Sequence, residues 1–260
     1  MRMIGFRTAG FASWPIDRTL RALREIGYTS VELCLEHPET QPADMAPDRC
    51  RDLATLLDEL GLCLSSISYH GDGRPAAERA ENTMLAVEVA ERMDCPVLVV
   101  NTMRREAGAE QAQTAAALDL TQRLLAHSRR VVTLALEPEP GLVISSADDM
   151  LAFRNQIASP RVAVNLDIGH AHITEPSIIE AIDRLGSLIV HTHIEDIADK
   201  VHKHLVLGGG DMDFAAARRA FERIGYQGDY TVDMFALGDD PLDTAQRCFG
   251  AMRRWFGPTS

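Results

Sequence analysis

Four side chains of types that bind divalent cations stand at or near the ends of short aliphatic segments. They are far apart in the sequence: Glu137, Asp167, His193 and Asp233. Three carboxylates and one imidazole form a mixed oxygen and nitrogen donor set, which suits Mn²⁺, Co²⁺, Zn²⁺ or Mg²⁺. Burying three carboxylates together without a cation would be costly, because each negative charge raises the pKa of the others. If the fold brings the four together, we therefore expect a divalent-metal site.

Other polar side chains occupy comparable positions or follow them closely. His170 comes three residues after Asp167, and residues 191–204 hold four of the chain's nine histidines. For the His202/His204 pair, the sequence leaves three interpretations open: a solvated loop, a substrate contact or a second metal site. The side chains that we expect to contact substrate are Glu32, His70, Asn101, His170, His202 and His204.

Eight short aliphatic segments recur along the chain, each followed by an amphipathic helical pattern. They are Ile4–Arg7, Ser30–Leu35, Leu62–His70, Val97–Asn101, Val132–Glu137, Val162–Asp167, Leu188–His193 and Tyr230–Met234. Strands that alternate with helices indicate parallel β/α units, and eight units in 260 residues match the size of a (β/α)8 TIM barrel. An open doubly wound sheet is the alternative, but no G-x-G-x-x-G follows the first strand. We predict an α/β protein with one TIM-barrel domain over residues 1–260.

Side chains alternate in character along the predicted strands. In Val132–Glu137, for example, Val, Leu and Leu alternate with Thr, Ala and Glu. Because successive residues of a strand point to opposite faces, we expect the aliphatic face to contact the helices and the polar face to line the barrel axis. The carboxyl ends of the strands form the mouth where TIM-barrel active sites lie, which is where the candidate ligands stand.

Composition excludes several classes of function. With 26 Lys and Arg against 38 Asp and Glu, the formal net charge is -12, which disfavours binding to a phosphate backbone. No apolar run approaches the roughly 20 residues that span a bilayer, and the first residues lack the apolar core of a signal peptide. The five scattered cysteines are typical of reduced thiols. We expect a cytoplasmic protein that binds neither nucleic acid nor membrane.

Several motifs occur together in a characteristic order. They are Gly27-Tyr28-Thr29-Ser30-Val31-Glu32-Leu33, Leu136-Glu137-Pro138, Asp167-Ile168-Gly169-His170, His191-Thr192-His193-Ile194-Glu195-Asp196 and residues 204–214, HLVLGGGDMDF. With these motifs the chain resembles, over nearly its whole length, the xylose isomerase-like TIM barrels of the sugar phosphate isomerase/epimerase superfamily. The resemblance implies that Glu137, Asp167 and His193 are metal ligands. The fourth ligand of that family, usually a Glu on strand eight, falls here on Asp233, which is shorter by one methylene.

The resemblance also implies an activity, that of a metal-dependent isomerase or epimerase acting on a ketose or keto-polyol. A divalent cation, with Mn²⁺ the first expectation, would hold the substrate carbonyl and a neighbouring hydroxyl and stabilise the enediolate. Glu137 would remove the proton and Asp233 would return it. His170 would bind a substrate hydroxyl, and His70 and Asn101 would line the pocket. Barrels of this kind often associate, so a homo-oligomer is expected.

Three other functions are open alternatives. The same metal and base would serve a lyase that eliminates water from a keto sugar, and this alternative stays open because the short Asp233 departs from the two-base pattern. A DNA-repair enzyme with several metals is disfavoured by the acidic charge; moreover, Asn101 stands where a histidine is needed, and His202-Lys203-His204 replaces an Asp-x-His. A non-catalytic barrel that binds a metabolite is the third.

Overall fold

The computed structural model describes residues 3–235, 237 and 240–257. Eight parallel strands pair in chain order, and β1 pairs with β8 to close a barrel. The strands are β1 Ile4–Arg7, β2 Ser30–Cys34, β3 Cys63–Ser68, β4 Val97–Val100, β5 Thr133–Leu136, β6 Val162–Asp167, β7 Ile189–Ile194 and β8 Tyr230–Val232. The predicted (β/α)8 barrel is confirmed, and closure rules out the open doubly wound sheet. The predicted domain limits, 1 and 260, lie outside the described residues.

Helices follow the strands and surround the barrel. In the described part of the chain there are nine: α1 Ile16–Ile26, α2 Pro47–Leu60, α3 Ala76–Arg92, α4 Glu110–His127, α5 Ala147–Ile157, α6 Ile168–Thr174, α7 Ile178–Leu185, α8 Phe214–Arg223 and α9 Pro241–Phe256. The ninth helix arises because β6 is followed by two helices, α6 and α7. None of the helices among the described residues has both the length and the apolar character needed to cross a membrane.

Local sequence explains where several helices begin and end. The side chains of Ser146 and Asp213 accept hydrogen bonds from backbone N–H groups in the first turns of α5 and α8, as expected of N-caps. Helix α2 begins at Pro47, because proline fits the first helical position, where its missing N–H costs nothing. Gly27 ends α1 with φ of 118°, a left-handed conformation that glycine adopts without strain.

The two faces of the strands separate as the alternation predicts. The aliphatic side chains Val31, Leu33 and Leu134 are buried in the hydrophobic core. The polar face lies inside the barrel, since the Ser66 hydroxyl on β3 and the His191 Nε2 on β7 are 3.0 Å apart although β3 and β7 are not neighbours. The barrel therefore has polar side chains inside and an apolar layer between its strands and helices.

Candidate active site

The four candidate ligands meet at the mouth of the barrel. Glu137 and Asp233 directly follow β5 and β8, Asp167 ends β6, and His193 lies near the end of β7. One potential ligand atom from each lies within 4.8 Å of those of the other three, and all four side chains are buried. Positions on four strands thus converge on one small volume, because parallel strands end at the same rim.

His193 is held by carboxylates on both sides of its ring. Its Nδ1 lies 2.9 Å from Glu137 Oε1 and 3.5 Å from Asp233 Oδ2, while its Nε2 lies 3.0 Å from Glu32 Oε2. Burial would lower the pKa of His193, but the charges of Glu32 and Glu137 raise it well above its ordinary value. The distances show that Nδ1 faces the other candidate ligands, whereas Nε2 faces Glu32 on the far side of the ring.

Glu32 lies beneath this cluster rather than at the cavity surface. Its carboxylate accepts a hydrogen bond of 2.7 Å from the Ser66 hydroxyl and lies 3.0 Å from His191 Nε2. Although burial would raise the pKa of Glu32, His193 and His191 hold it well below its usual range. The side chain is fully buried, and this geometry favours an orienting role toward His193 over the substrate contact expected from its strand position.

Glu137 lies beside a second histidine. His70 Nε2 is 3.0 Å from Glu137 Oε2. Burial and the charge of Arg7 would lower the pKa of His70, but Glu137 raises it to about 9. Burial would likewise raise the pKa of Glu137, whereas His193 and His70 hold it well below its usual range. Glu137 is thus kept in the ionised form that can accept a proton.

A cavity of about 390 Å³ opens above these groups, within the size range of small-molecule sites. Of the side chains expected at the site, Glu137, Asp233 and four of the expected substrate contacts line this cavity, while Asp167, His193, Glu32 and Asn101 are not among its lining residues. The lining residues are Arg7, Ala9, Cys34, Glu36, His70, Asp72, Glu137, Glu139, His170, His202, His204, Asp233 and Phe235. Asn101 instead lines a separate, smaller cavity, and its amide donates a hydrogen bond to Glu139.

Three histidines line another side of the cavity. His170 Nε2 and His202 Nε2 are 3.0 Å apart, and His204 Nδ1 lies 2.9 Å from the carbonyl oxygen of Asp233. Burial, together with the neighbouring His170 and His204, lowers the pKa of His202 to about 4. One nitrogen from each of the three rings lies within 4.8 Å of the others. His202 is exposed and His204 is half-buried, so the solvated loop, the substrate contact and the second metal site all stay open.

Sequence reasoning missed Arg7. Its Nη1 donates hydrogen bonds to both oxygens of Asp233, at 3.1 and 3.2 Å, and its Nε lies 3.1 Å from Glu32 Oε1. Burial would raise the pKa of Asp233, but Arg7 and then His193 lower it. A signal was present, because Arg7 ends the first predicted strand, as Asp167 ends the sixth. A pattern of acids and histidines alone does not include a cation at the equivalent position.

Glu195 was also missed. Its carboxyl is fully buried beside Asp167, and Oε2 contacts Nδ1 of His204. Burial, and after it the charges of Asp167 and Asp233, raise the pKa of Glu195 well above its usual value, so the neutral acid is favoured. Residue 195 shares strand parity with His193, which could have placed it on the inner face.

The donor set fits a divalent cation. Asp167 Oδ1 accepts hydrogen bonds from the N–H groups of Gly169 and His170, whereas Oδ2 is buried and has no hydrogen-bond partner among the described residues. A buried carboxylate oxygen without a partner carries a large desolvation cost. An ion held by Glu137, Asp167, His193 and Asp233 would remove that cost.

The chain is similar in sequence and in fold to several known proteins. The chain is 20% identical over 250 residues to fructoselysine 3-epimerase of Shigella flexneri, which covers 90% of each chain. It is 27% identical over 246 residues to L-ribulose 3-epimerase of Mesorhizobium japonicum, covering 88% of this chain and 78% of the relative. The solved structure of a D-tagatose 3-epimerase-like protein superposes with a TM-score of 0.84 at 17% identity, over 98% and 97% of the two chains. Residues 20–254 match the family model for the xylose isomerase-like TIM barrel. The chain therefore belongs to the xylose isomerase-like TIM barrel family.

Proposed function

We propose that this protein is a divalent-metal-dependent sugar isomerase or epimerase acting on a ketose or keto-polyol. The observation that carries the proposal is the pairing of two carboxylates, Glu137 and Asp233, that line one cavity and share a cluster with Asp167 and His193. Both carboxylates have neighbours that lower their pKa. The similarity to two sugar 3-epimerases along most of the chain supports the same class of reaction.

Glu137, Asp167, His193 and Asp233 would hold the cation, and a set of three carboxylates and one imidazole favours Mn²⁺. When bound, such a cation supplies Lewis-acid chemistry that acidifies a C–H next to a carbonyl. Glu32 would fix the His193 ring with Nδ1 toward the cluster, since its carboxylate contacts Nε2. Such outer partners orient metal-binding histidines in many proteins.

Glu137 would act as the general base. Its contact with His70 holds one carboxylate oxygen in place, and its ionised form is ready to receive the proton from a substrate carbon. Asp233, across the same cavity, would take up a proton from solvent and deliver it to the substrate carbon, while Glu137 would lose the abstracted proton to solvent. Returning it to the opposite face of the same carbon gives epimerisation, and returning it to the neighbouring carbon gives isomerisation.

The remaining lining residues favour a neutral substrate. Glu36, Asp72 and Glu139 add carboxylates to the cavity wall, which disfavours a phosphate ester because like charges repel. His170 and His202 would supply hydrogen bonds to substrate hydroxyls. A polyol with a keto group fits this combination of acidic wall and neutral donors.

The test is proton exchange with solvent. The protein, supplied with Mn²⁺ in deuterated buffer, is incubated with a panel of ketoses and 3-keto sugars, and each recovered sugar is analysed by NMR and mass spectrometry. We expect deuterium on one carbon of substrate and product, and a loss of rate on the order of 10²–10⁴ in Glu137→Gln, the range of general-base catalysis. Glu59→Gln, which changes an exposed carboxylate on α2, is the matched control.

The other outcomes identify the alternatives. An unsaturated or deoxy keto product that absorbs in the ultraviolet would indicate a lyase. If the protein binds sugars without deuterium exchange, and Glu137→Gln binds them equally well, the protein is a non-catalytic barrel and the proposal is overturned.

A further inference from the structure

We propose that Arg7 and Asp233 work as one unit, in which Arg7 positions the short carboxylate for the cluster, so that residue 233 tolerates a longer carboxylate only when a flexible, uncharged side chain replaces the guanidinium at residue 7. The inference rests on the proposed function, since it concerns how that site holds its second carboxylate. It assigns Arg7 as a positioning residue.

Strand register places the two side chains next to each other. Phe6 pairs with Val232 across β1 and β8, so Arg7 and Asp233 are the next residues on the two strands. On the other side, Arg7 pairs in register with Glu32 of β2. The guanidinium therefore lies between two acids on neighbouring strands.

Contacts on both sides fix the guanidinium. Nη1 reaches both oxygens of Asp233, at 3.1 and 3.2 Å. Nε lies 3.1 Å from both the Ser68 hydroxyl and Glu32 Oε1. Only 6% of Arg7 is exposed, so the side chain cannot move into solvent without leaving two buried acids uncompensated, which is costly.

The length of residue 233 matters because Arg7 occupies the adjoining space. Asp233 Oδ2 lies 3.5 Å from His193 Nδ1 on one side and 3.1 Å from Arg7 Nη1 on the other. One added methylene lengthens the side chain by about 1.5 Å, a carbon–carbon bond. With Arg7 and His193 both fixed, a glutamate at 233 would have to displace one of them or fold away from the cluster. A flexible, uncharged side chain at position 7 would give that carboxylate room.

A double-mutant cycle tests the unit with four proteins: wild type, Arg7→Met, Asp233→Glu and Arg7→Met/Asp233→Glu. The first readout is Mn²⁺ affinity by isothermal titration calorimetry on protein shown by circular dichroism to be folded. The second is the split of deuterium-exchange kinetics into kcat and KM. Arg223→Met, which breaks an exposed pair with Asp183, is the control and should leave both unchanged.

Each single variant should lose on the order of 10–100-fold in Mn²⁺ affinity, as when outer partners of a metal site are removed. Each should also lose about 10²-fold in kcat with little change in KM, the effect of misplacing a reacting group by about 1 Å. The double variant should recover most of both losses, since residues that share one interaction are not additive.

Two results would overturn the proposal. One is Asp233→Glu with wild-type affinity and kcat while Arg7 is present. The other is a double variant that binds Mn²⁺ and exchanges deuterium no better than Asp233→Glu alone. If Arg7→Met does not fold, Arg7→Lys replaces it: lysine keeps the charge but lacks the planar fork, so rescue of Asp233→Glu is expected to be partial, and no rescue contradicts the unit.

The design separates this proposal from the proposed function. If wild type binds Mn²⁺ but exchanges deuterium into no sugar, the proposed function fails and the affinity cycle still tests the unit. If wild type does not bind Mn²⁺, the same cycle is measured on the free energy of unfolding, where additive changes would contradict the unit.

Discussion

Glu32 illustrates how a residue can belong to the site without touching its cavity. Its carboxylate contacts Nε2 of His193, His191 and the Ser66 hydroxyl in the sealed interior below the mouth. A group in that place fixes ring orientation and is out of reach of a molecule in the cavity. Its contribution is therefore expected in cation binding.

We predict that Glu32→Gln lowers Mn²⁺ affinity by about 10–100-fold, the usual cost of losing an outer partner, and leaves KM nearly unchanged at saturating Mn²⁺. The glutamine keeps the shape but removes the charge that faces His193. Calorimetry and steady-state kinetics measure the two quantities. A raised KM at unchanged Mn²⁺ affinity would restore the expectation that Glu32 contacts substrate.

His202 predicts a pH dependence of stability. Burial, and then His170 and His204, lower its pKa from 6.5 to about 4 in the folded protein, whereas an unfolded chain has the ordinary value. Between these limits the unfolded state binds more protons, so the free energy of unfolding falls as pH decreases from about 6.5 toward 4. His202→Asn should make this decrease shallower in urea denaturation at about pH 7 and about pH 5. The same slope in both proteins would contradict the assignment.

For individual residues, the sequence predicted the acids and histidines of the site but not Arg7 and Glu195, which contact them. Glu137, Asp167, His193 and Asp233 were found because their types and strand-end positions agree. Arg7 and Glu195 depend on contacts between strands that are distant in the sequence, and the alternation of one strand does not show which partner a side chain will meet. Buried ion pairs of this kind are recognisable only once the register across the barrel is known.

At the scale of elements, the loop after β1 must approach the loop after β8. A Cβ at Gly10 would lie 2.1 Å from the Met234 carbonyl oxygen and 2.7 Å from Leu237 Cγ. The carbonyl belongs to the backbone next to Asp233, so it cannot yield easily. Gly10 thus allows the packing that sets the start of the loop beside the site.

We predict that Gly10→Ala lowers the free energy of unfolding by about 1–3 kcal/mol, the usual cost of overpacking. Gly250→Ala in α9 is the matched control, because a Cβ there meets nothing within 4 Å. It should raise stability by about 0.5–1 kcal/mol through helix propensity. Urea denaturation measures both, and the same sign for both variants would refute the steric argument.

Strands and helices were predictable because their periodicity is local, whereas the loop that carries His202 and His204 was not. That loop is organised by the buried carboxylate of Asp196, which accepts hydrogen bonds from the N–H groups of Gly208 and Gly210. An antiparallel bridge between Asp196 and Leu205 closes it. Those partners are set by a loop conformation that carries no periodic signal, so the sequence left the place of the two histidines open.

At the scale of the whole molecule, an acidic chain with a net charge of -12 concentrates carboxylates inside its own barrel. Glu32, Glu137, Asp167 and Asp233 are all buried, and so is Glu195, whose raised pKa favours the neutral acid. Such a cluster needs positive charge beside it, because an unpaired buried carboxylate is costly, and Arg7 with the inner histidines supplies part of that charge. A bound divalent cation would supply the remaining positive charge. It would stabilise the folded state and not the unfolded state, because only the folded state brings these ligands together.

We therefore predict that Mn²⁺ raises the melting temperature of protein first stripped with EDTA. A ligand at a hundred times its Kd stabilises the fold by about 2.7 kcal/mol, and each kcal/mol shifts Tm by roughly 2–4 °C in a chain near this size. Asp167→Asn should lose most of the shift, because it removes one of the three carboxylate charges that would hold the cation. Glu59→Gln removes an exposed carboxylate instead and should keep it. The measurements are made at physiological salt, which screens charges on the surface. Equal shifts in all three proteins would mean that Mn²⁺ binds the acidic exterior. The buried cluster would then be compensated without Mn²⁺.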